Sequence, residues 1–308
     1  MMAARGIVRG KGGWTLAAGV VGLTFLGWAP PARGDGPDAA SSTHVPYHGL
    51  AAWIDIFDHE PWARPAATVR QLAGHGVGTV FLQTSNYRRP HAVHRPSRIA
   101  RLLATARRHG VRVIAWYLPG FADLRRDWLR VKAAVTYASP AGDRFDGFAL
   151  DIEATAVADI ATRNRRMLRL SDRLRRLTGT GYGLGAIIPD PVGQRYWPRF
   201  PYRAVRARYD AILPMSYWTF THRGAAAVYR YARRAVRLIR ARTADPAVPV
   251  HLIGGIASQA SASEVAAFTR AAIDAGAAGA SLYDAPVTSA RQWARLGALR
   301  SLSVLEAP

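Results

Sequence analysis

Two acids, Asp151 and Glu153, stand two residues apart at the end of the apolar segment 145–153, and they are the side chains best suited to chemistry. The segment is typical of a buried β-strand. Side chains alternate along a strand, so both carboxylates share one face with Ala149 and lie roughly 7 Å apart along the chain. Ionised carboxylates in apolar surroundings are unfavourable unless they have partners or a function. They could act as a general acid and its partner; alternatively, the strand could end in solvent with both acids hydrated.

The rest of the chain supplies a repeating frame for this strand. From residue 48 onward, short apolar segments alternate with amphipathic ones. Eight strands are predicted, at residues 50–57, 77–83, 111–118, 145–153, 183–188, 211–217, 248–253 and 278–283. Helices are predicted after each strand, at residues 65–75, in a segment ending at 109, and at 124–137, 161–177, 201–208, 225–242, 261–275 and 288–302.

This alternation decides between two α/β architectures. Alternating β and α units indicate parallel strands, and ~255 residues match the usual size of a single-domain (β/α)8 TIM barrel. A doubly wound open sheet would carry a glycine-rich phosphate loop after its first strand. Residues 58–62 are instead Asp-His-Glu-Pro-Trp, which is an acidic loop unsuited to phosphate. We therefore predict the barrel.

Active-site residues of such a barrel lie at the carboxyl ends of its strands, which extends the candidate site beyond Asp151 and Glu153. We assign substrate binding to acids and aromatic residues at the other predicted strand ends: Asp55, Trp116, Tyr117, Asp190, Trp218, Tyr283 and Asp284. At least half of the aromatic residues near these ends are expected to belong to the core. Acids ringed by aromatic side chains suit a sugar, because rings stack on its apolar faces and carboxyl groups cleave its glycosidic bond. A neighbouring acid and apolar surroundings would raise the pKa of Glu153, as a general acid requires.

Two short motifs carry a resemblance to a known family. Residues 146–153, Asp-Gly-Phe-Ala-Leu-Asp-Ile-Glu, resemble the strand-four signature DGxDxDxE of glycoside hydrolase family 18, the chitinase-like barrels. Residues 214–217, Pro-Met-Ser-Tyr, are similar to that family's strand-six M-x-Y element. The resemblance implies that Glu153 is the proton donor, that Asp151 orients an N-acetyl group of the substrate, and that Tyr217 hydrogen-bonds it. In that family the acetamido oxygen is the nucleophile.

The sequence also departs from this family's pattern. Ala149 occupies the position of the first motif aspartate, which normally supports the middle one, and Trp218 replaces the Asp or Asn that often follows the tyrosine. A related, uncharacterised family of secreted glycosidase-like barrels fits the two motifs equally well. If catalysis proceeds without help from the substrate, the candidates for a second carboxylate are Asp55, Asp190 and Asp284.

The N-terminus has the features of a targeting segment. Arg5, Arg9 and Lys11 precede an uncharged, apolar run at residues 14–28, followed by small residues and prolines. This pattern predicts a signal peptide at residues 1–32, a flexible lead-in at 33–46 and the barrel at 47–305. The run is shorter than the ~20 residues of a membrane span, although an uncleaved anchor is the alternative. We expect a secreted or cell-envelope protein.

The charge and composition limit the partners. The formal net charge is +22 and almost entirely due to arginine, since Lys11 and Lys132 are the only lysines. Arginines occur in most predicted helices, which disfavours a nucleic-acid-binding tail and favours general attraction to an anionic cell-envelope surface. There is no cysteine, which excludes disulfides, thiolate metal sites and a cysteine nucleophile. His91 and His94 have metal-ligand spacing but lie in a loop rich in Arg and Pro, so we predict no metal and no cofactor.

These observations together favour a secreted, monomeric glycoside hydrolase-like barrel. Its catalytic residues would be Glu153, Asp151 and Tyr217, and its substrate a polysaccharide or oligosaccharide. The alternative is a carbohydrate-binding barrel at the cell envelope that has lost catalysis, which Ala149 favours.

Overall fold

The computed structural model of the chain describes residues 45–302. The predicted signal peptide, the lead-in up to residue 44 and the end of the chain from residue 303 lie outside the described residues. The strands are β1 Gly49–Ile54, β2 Thr79–Asn86, β3 Arg112–Leu118, β4 Gly147–Asp151, β5 Gly183–Ile188, β6 Ala211–Pro214, β7 His251–Ile256 and β8 Gly279–Tyr283. The α-helices of this part are α1 His59–Ala63, α2 Pro65–Gly74, α3 Pro96–Arg108, α4 Leu124–Val135, α5 Ile160–Thr178, α6 Tyr202–Arg206, α7 Ala225–Thr243, α8 Ala262–Asp274 and α9 Ala290–Leu296.

All eight strands are parallel and follow one another in sequence order around a ring. Each of β1 to β5 pairs with the next strand, and β8 pairs with both β1 and β7. Two parallel bridges, Ile212 to Val250 and Met215 to Ile253, join β6 to β7 and complete the ring. The predicted (β/α)8 barrel is confirmed. Across residues 45–302, every helix is too short or too polar to cross a bilayer.

Local sequence signals explain several element boundaries. Gly76 and Gly276 have φ angles of 79° and 60°, which suit glycine and end α2 and α8. Ser261 and Glu264 form a reciprocal capping box that begins α8. Strand β6 ends earlier than predicted, at Pro214, because the chain then turns back on itself: the Ser216 amide donates to the Pro214 carbonyl oxygen at 2.9 Å.

Other boundaries also differ from the prediction. A five-residue helix, α1, interrupts the first loop, and β7 begins at His251 rather than at residue 248. The closing helix predicted at 288–302 is divided into α9 and a 3-10 helix, Gly297–Leu302.

The alternation along β4 determines which side chains face the site. Phe148 and Leu150 point outward into the apolar layer between the sheet and the helices. Ala149 points into the barrel, where it packs in the same cluster as Trp53 and Trp116. This confirms the prediction that residues 149 and 151 share the face opposite to Phe148, as the two-residue period of a strand requires.

Tyr47 closes the amino-terminal end of the barrel. Its hydroxyl donates to the carbonyl oxygens of Phe148 and Gly183 at 2.9 and 3.1 Å. His251 Nδ1 donates to the Tyr47 carbonyl oxygen at 2.8 Å. A Cβ on Gly185 would lie 2.6 Å from Tyr47 Cε1, so only glycine leaves room for the ring. The open end of the barrel is therefore the opposite one, where the strands have their carboxyl ends.

Candidate active site

The carboxyl pair lies at the open end of the barrel. Asp151 is the last residue of β4 and is only 6% exposed, whereas Glu153, two residues further, is half-buried. Burial raises the pKa of Asp151 well above its ordinary value, and the charge of Glu153 raises it further. Burial also raises the pKa of Glu153. The hypothesis of two hydrated acids at a solvent-facing strand end is therefore wrong for Asp151, and the pair is suited to retaining a proton.

Both carboxyl groups line a cavity of about 190 Å³. Its wall combines the acids with aromatic side chains from three strands and the turn after β6, namely Trp53, Trp116, Tyr283 and Tyr217. Two buried polar atoms of wall residues lack a hydrogen-bond partner in the described chain: Asp151 Oδ1 and Trp116 Nε1. Buried polar atoms usually have partners, so these two are suited to binding a ligand. Because Trp116 Nε1 can only donate, and an Asp151 carboxyl oxygen that carries no proton can only accept, the wall matches a ligand with both hydrogen-bonding functions.

Tyr217, in the turn after β6, and Tyr283, the last residue of β8, form another part of the wall, and their ring centroids lie 6.0 Å apart. Burial raises the pKa of Tyr217, and the negative charges of Glu153 and Asp151 raise it further. The Tyr217 hydroxyl therefore keeps its proton and remains able to donate a hydrogen bond beside the acids.

Asp55 lies just beyond β1 and is held by three hydrogen bonds. Its Oδ1 accepts from the amides of Phe57 and Asp58 at 2.6 and 3.1 Å, and its Oδ2 accepts from the Tyr283 hydroxyl at 2.9 Å. Asp55 also lines the cavity. Its side chain consequently shapes the turn after β1 and faces the candidate site at the same time.

An acidic cluster formed by Asp55, Asp58 and Asp284 lies where β1 and β8 meet. One carboxylate oxygen of each lies within 4.8 Å of the others, a spacing that could hold a metal ion. Burial, followed by the charge of Asp55, raises the pKa of Asp58 to about 7 and that of Asp284 to about 6. The side-chain hydrogen bond between these two favours a protonated Asp58 and an ionised Asp284. Protons can thus relieve the repulsion within the acidic cluster. His91 and His94 belong to no comparable group within the described residues.

Four of the residues predicted to bind substrate do not line the cavity: Tyr117, Asp190, Trp218 and Asp284. Tyr117 follows the inward-facing Trp116 and so points outward, where its hydroxyl donates to Asp127 Oδ1 at 2.6 Å. Trp218 turns into the core after β6, with its ring centroid 4.8 Å from that of Phe268.

Asp190 shapes the loop after β5. Its Oδ1 accepts from the Val192 amide at 2.9 Å, and its Oδ2 accepts from the Gly193 amide and the Tyr231 hydroxyl at 2.8 and 2.5 Å. These bonds occupy both carboxylate oxygens of Asp190.

Sequence reasoning missed two amides of the cavity wall, Gln83 and Asn86 at the end of β2. The criterion considered only acids and aromatic residues. Gln83 could have been found from the alternation of the strand, because it lies two residues after Phe81, which faces the barrel interior. Tyr196 was not considered either: it is 43% exposed and does not line the cavity, but its partial burial raises its pKa, and the charges of Glu153 and Asp151 add to the effect. It belongs to an irregular loop that no periodicity predicts.

Comparisons with known proteins give a structural likeness only. No protein-family profile matches the chain, and no curated protein sequence matches it. Among solved structures, an endo-β-1,4-mannanase from Thermotoga petrophila aligns with a TM-score of 0.64 at 9% identity, covering 84% of this chain and 78% of the mannanase.

Two other solved enzyme structures also align with this chain. A chitinase from Chromobacterium violaceum aligns with a TM-score of 0.54 at 16% identity, covering 82% of this chain and 98% of the chitinase. The spore cortex-lytic enzyme SleL from Bacillus cereus aligns with a TM-score of 0.61 at 10% identity, covering 82% of this chain and 74% of SleL. The chain therefore shares its barrel fold with these three enzymes.

Proposed function

We propose that this protein is a secreted glycoside hydrolase that cleaves glycosidic bonds of a polysaccharide or oligosaccharide by carboxyl acid/base catalysis. The observation that carries the proposal is the pair of the buried Asp151 and the half-buried Glu153, both of which have raised pKa values and line an aromatic-walled cavity at the carboxyl end of the barrel. The resemblance of residues 146–153 to the chitinase-like signature and the glycosidase fold support the same reaction class.

Glu153 is the general acid in this proposal. Burial raises the pKa of Glu153 and so favours its protonated form, and that proton passes to the leaving oxygen as the glycosidic C–O bond breaks. The bonding electrons stay with the leaving oxygen. The sugar carbon bonds at the same time to a nucleophile, either an acetamido oxygen of the substrate or a second carboxylate. In the second step water displaces that nucleophile from the sugar carbon, and the Glu153 carboxylate accepts a proton from the water.

Asp151 and Tyr217 would position an acetamido group, as the family resemblance implies. The unpartnered Asp151 Oδ1 is suited to accept from the amide N–H, and the protonated Tyr217 hydroxyl to donate to the amide oxygen. The unpartnered Trp116 Nε1 is a second donor on the same wall. An N-acetylated sugar would therefore satisfy the polar atoms of the cavity, and its amide oxygen would be the nucleophile.

For a substrate without an acetamido group, Asp55 is the second carboxylate that the geometry favours. Of the candidates Asp55, Asp190 and Asp284, only Asp55 lines the cavity. Its three hydrogen bonds fix its orientation.

Ala149 supports a second candidate function, a carbohydrate-binding barrel without catalysis. It is completely buried inside the barrel, and no third acid stands beside Asp151 on the inner face of β4. The aromatic wall would bind sugar in either case.

The test is hydrolysis of aryl glycosides, chitin oligosaccharides, mannan and peptidoglycan by wild type and Glu153→Gln. Removing a general acid lowers the rate by ~10²–10⁴-fold, so we expect that loss with binding retained. Glu60→Gln is the matched control, because Glu60 is exposed and pairs only with the exposed Arg64. Sugar binding by both proteins without hydrolysis would select the binding barrel. Equal turnover by wild type and Glu153→Gln would overturn the assignment.

A further inference from the structure

Helix α7 carries a row of arginines on its outer face. The helix contains six arginines and no acid. Arg230, Arg234 and Arg237 are exposed, and their spacing of four and three residues places them on one side of the helix over ~10 Å. Arg233, next to this row, is also exposed. The arginines that look dispersed along the sequence thus form a continuous basic strip here.

The strip lines an open groove of about 780 Å³. The acid in its lining is Asp274, which already accepts a hydrogen bond from the Tyr229 hydroxyl at 2.6 Å. None of the ion pairs within residues 45–302 involves an arginine of the strip. The positive charge of the groove therefore has little internal compensation and would attract an anion.

Contacts at the side of the groove hold part of its surface in place. The guanidinium groups of Arg233 and Arg270 lie 5.5 and 5.1 Å from the centroid of the Tyr229 ring. Arg240, near the other end of α7, donates to the carbonyl oxygens of Ala275 and Gly276 at 2.8 and 2.6 Å. The groove consequently has fixed walls, whereas the guanidinium groups of the strip remain available.

The groove begins near the open end of the barrel. Its lining includes Val192 from the loop after β5 and His222 from the loop after β6, both on the carboxyl side of the strands. Tyr231 in the groove donates to Asp190 Oδ2 of the β5 loop at 2.5 Å. From there the groove follows α7 down the side of the barrel to Arg240 and Ala275. A bound chain could therefore extend from the rim of the candidate active site along the flank of the molecule.

We propose that the α7 groove binds an anionic polysaccharide, a sugar polymer that bears phosphate or carboxylate groups. A polymer fits better than a small anion because the guanidinium groups are spread along the helix instead of converging on one point. A polysaccharide fits better than a nucleic acid because the groove leads to the rim of a sugar-type cavity, an argument that rests on the proposed function. Guanidinium groups recognise phosphate and carboxylate oxygens alike.

The experiment measures binding of poly(glycerol phosphate), polygalacturonate, a neutral chitin oligosaccharide and duplex DNA by calorimetry over a range of salt concentrations. The variant is the triple substitution Arg230→Gln, Arg234→Gln and Arg237→Gln. The matched control is Arg165→Gln, Arg169→Gln and Arg176→Gln on α5, which removes the same charge from three exposed arginines that form none of the described ion pairs.

We expect the α7 triple variant to bind one or both anionic polysaccharides about tenfold more weakly, with the α5 control near wild type. The slope of log K against log salt for the phosphate polymer should fall by about 2. A preference between the two polymers identifies phosphate or carboxylate as the recognised group. Equal losses in both triple variants would mean unspecific attraction to the net charge and overturn the proposal, as would tighter binding of DNA or no binding of either polymer. The experiment measures binding and does not require turnover. Its result can therefore be interpreted even if the protein proves not to be a hydrolase.

Discussion

Replacing Asp58 by asparagine should remove a pH dependence of stability that the acidic cluster creates. The pKa of Asp58 is about 7 in the folded chain, against an ordinary value of 3.8. Between these values the folded chain holds a proton that the unfolded chain has released. The folded state therefore binds more protons, and the free energy of unfolding falls as pH rises from ~4 to ~7. Asparagine cannot ionise, yet its oxygen can still accept from the Asp55 amide, as Asp58 Oδ2 does at 2.8 Å.

The size of the effect follows from the same pKa. A rise of the Asp58 pKa from 3.8 to about 7 changes the free energy of unfolding by at most ~4 kcal/mol, since one pKa unit equals ~1.4 kcal/mol. The Asp58 carboxyl is only partly buried, so solvent screening reduces the expected difference to roughly 1–2 kcal/mol. Asp58→Asn should therefore match wild type near pH ~4 and exceed its stability by that amount near pH ~8.

Urea unfolding of both proteins across this pH range measures the difference, with a chelator present so that no cation neutralises the acidic cluster. Glu60→Gln, which removes an exposed acid outside the acidic cluster, is the control. Its free energy of unfolding should change with pH as that of wild type does. If the stability of Asp58→Asn also ran parallel to wild type at every pH, the repulsion between Asp58, Asp55 and Asp284 would not act as described.

Two further substitutions test how the barrel holds the site. Tyr117→Phe leaves the buried Asp127 with the backbone donors alone and should lower the free energy of unfolding by about 1–3 kcal/mol in urea titrations; no loss would mean that water replaces the hydroxyl. Gly185→Ala forces a methyl group against the Tyr47 ring and should lower the free energy of unfolding by about 1–3 kcal/mol. Gly181→Ala should have little effect, because no atom lies within 4 Å of the added methyl group. Similar results for both alanines would contradict a tight fit of Tyr47.

Much of the site position could be predicted because it depends on local periodicity. The two-residue period of β4 gave Asp151 and Ala149 a common face, and glycines such as Gly76 marked the helix ends. The alternation of β and α segments then implied that strand ends share one rim. These features depend on a few neighbouring residues or on the order of elements, which the sequence displays directly.

The misplaced residues depend on geometry that the sequence does not display. Trp218 lies one residue after Tyr217, and only the tight turn that follows Pro214 sends one ring into the cavity and the other into the core. Asp190 is held by Tyr231, which lies 41 residues away. Neither the turn nor the distant partner has a signature in the sequence.

The acidic cluster could have been predicted more fully. Asp58 and Asp284 lie at opposite ends of the barrel sequence, yet closure of the ring makes β1 and β8 neighbours. The predicted (β/α)8 barrel already implied that β1 and β8 are neighbours. The strip on α7 is a similar case: Arg230, Arg234 and Arg237 follow a helical period, but a count of arginines along the whole sequence does not reveal the face they share.

The position of Tyr47 has a practical consequence for experiments on this protein. Tyr47 anchors the chain at the closed floor of the barrel through Phe148 and Gly183, while the cavity opens at the other end. A tag or surface attachment placed just before residue 45 would consequently be joined on the side that faces away from the carboxyl pair. Immobilising the barrel by that end should present the cavity to a large insoluble substrate, and a probe for substrate docking is better attached through a loop of the rim.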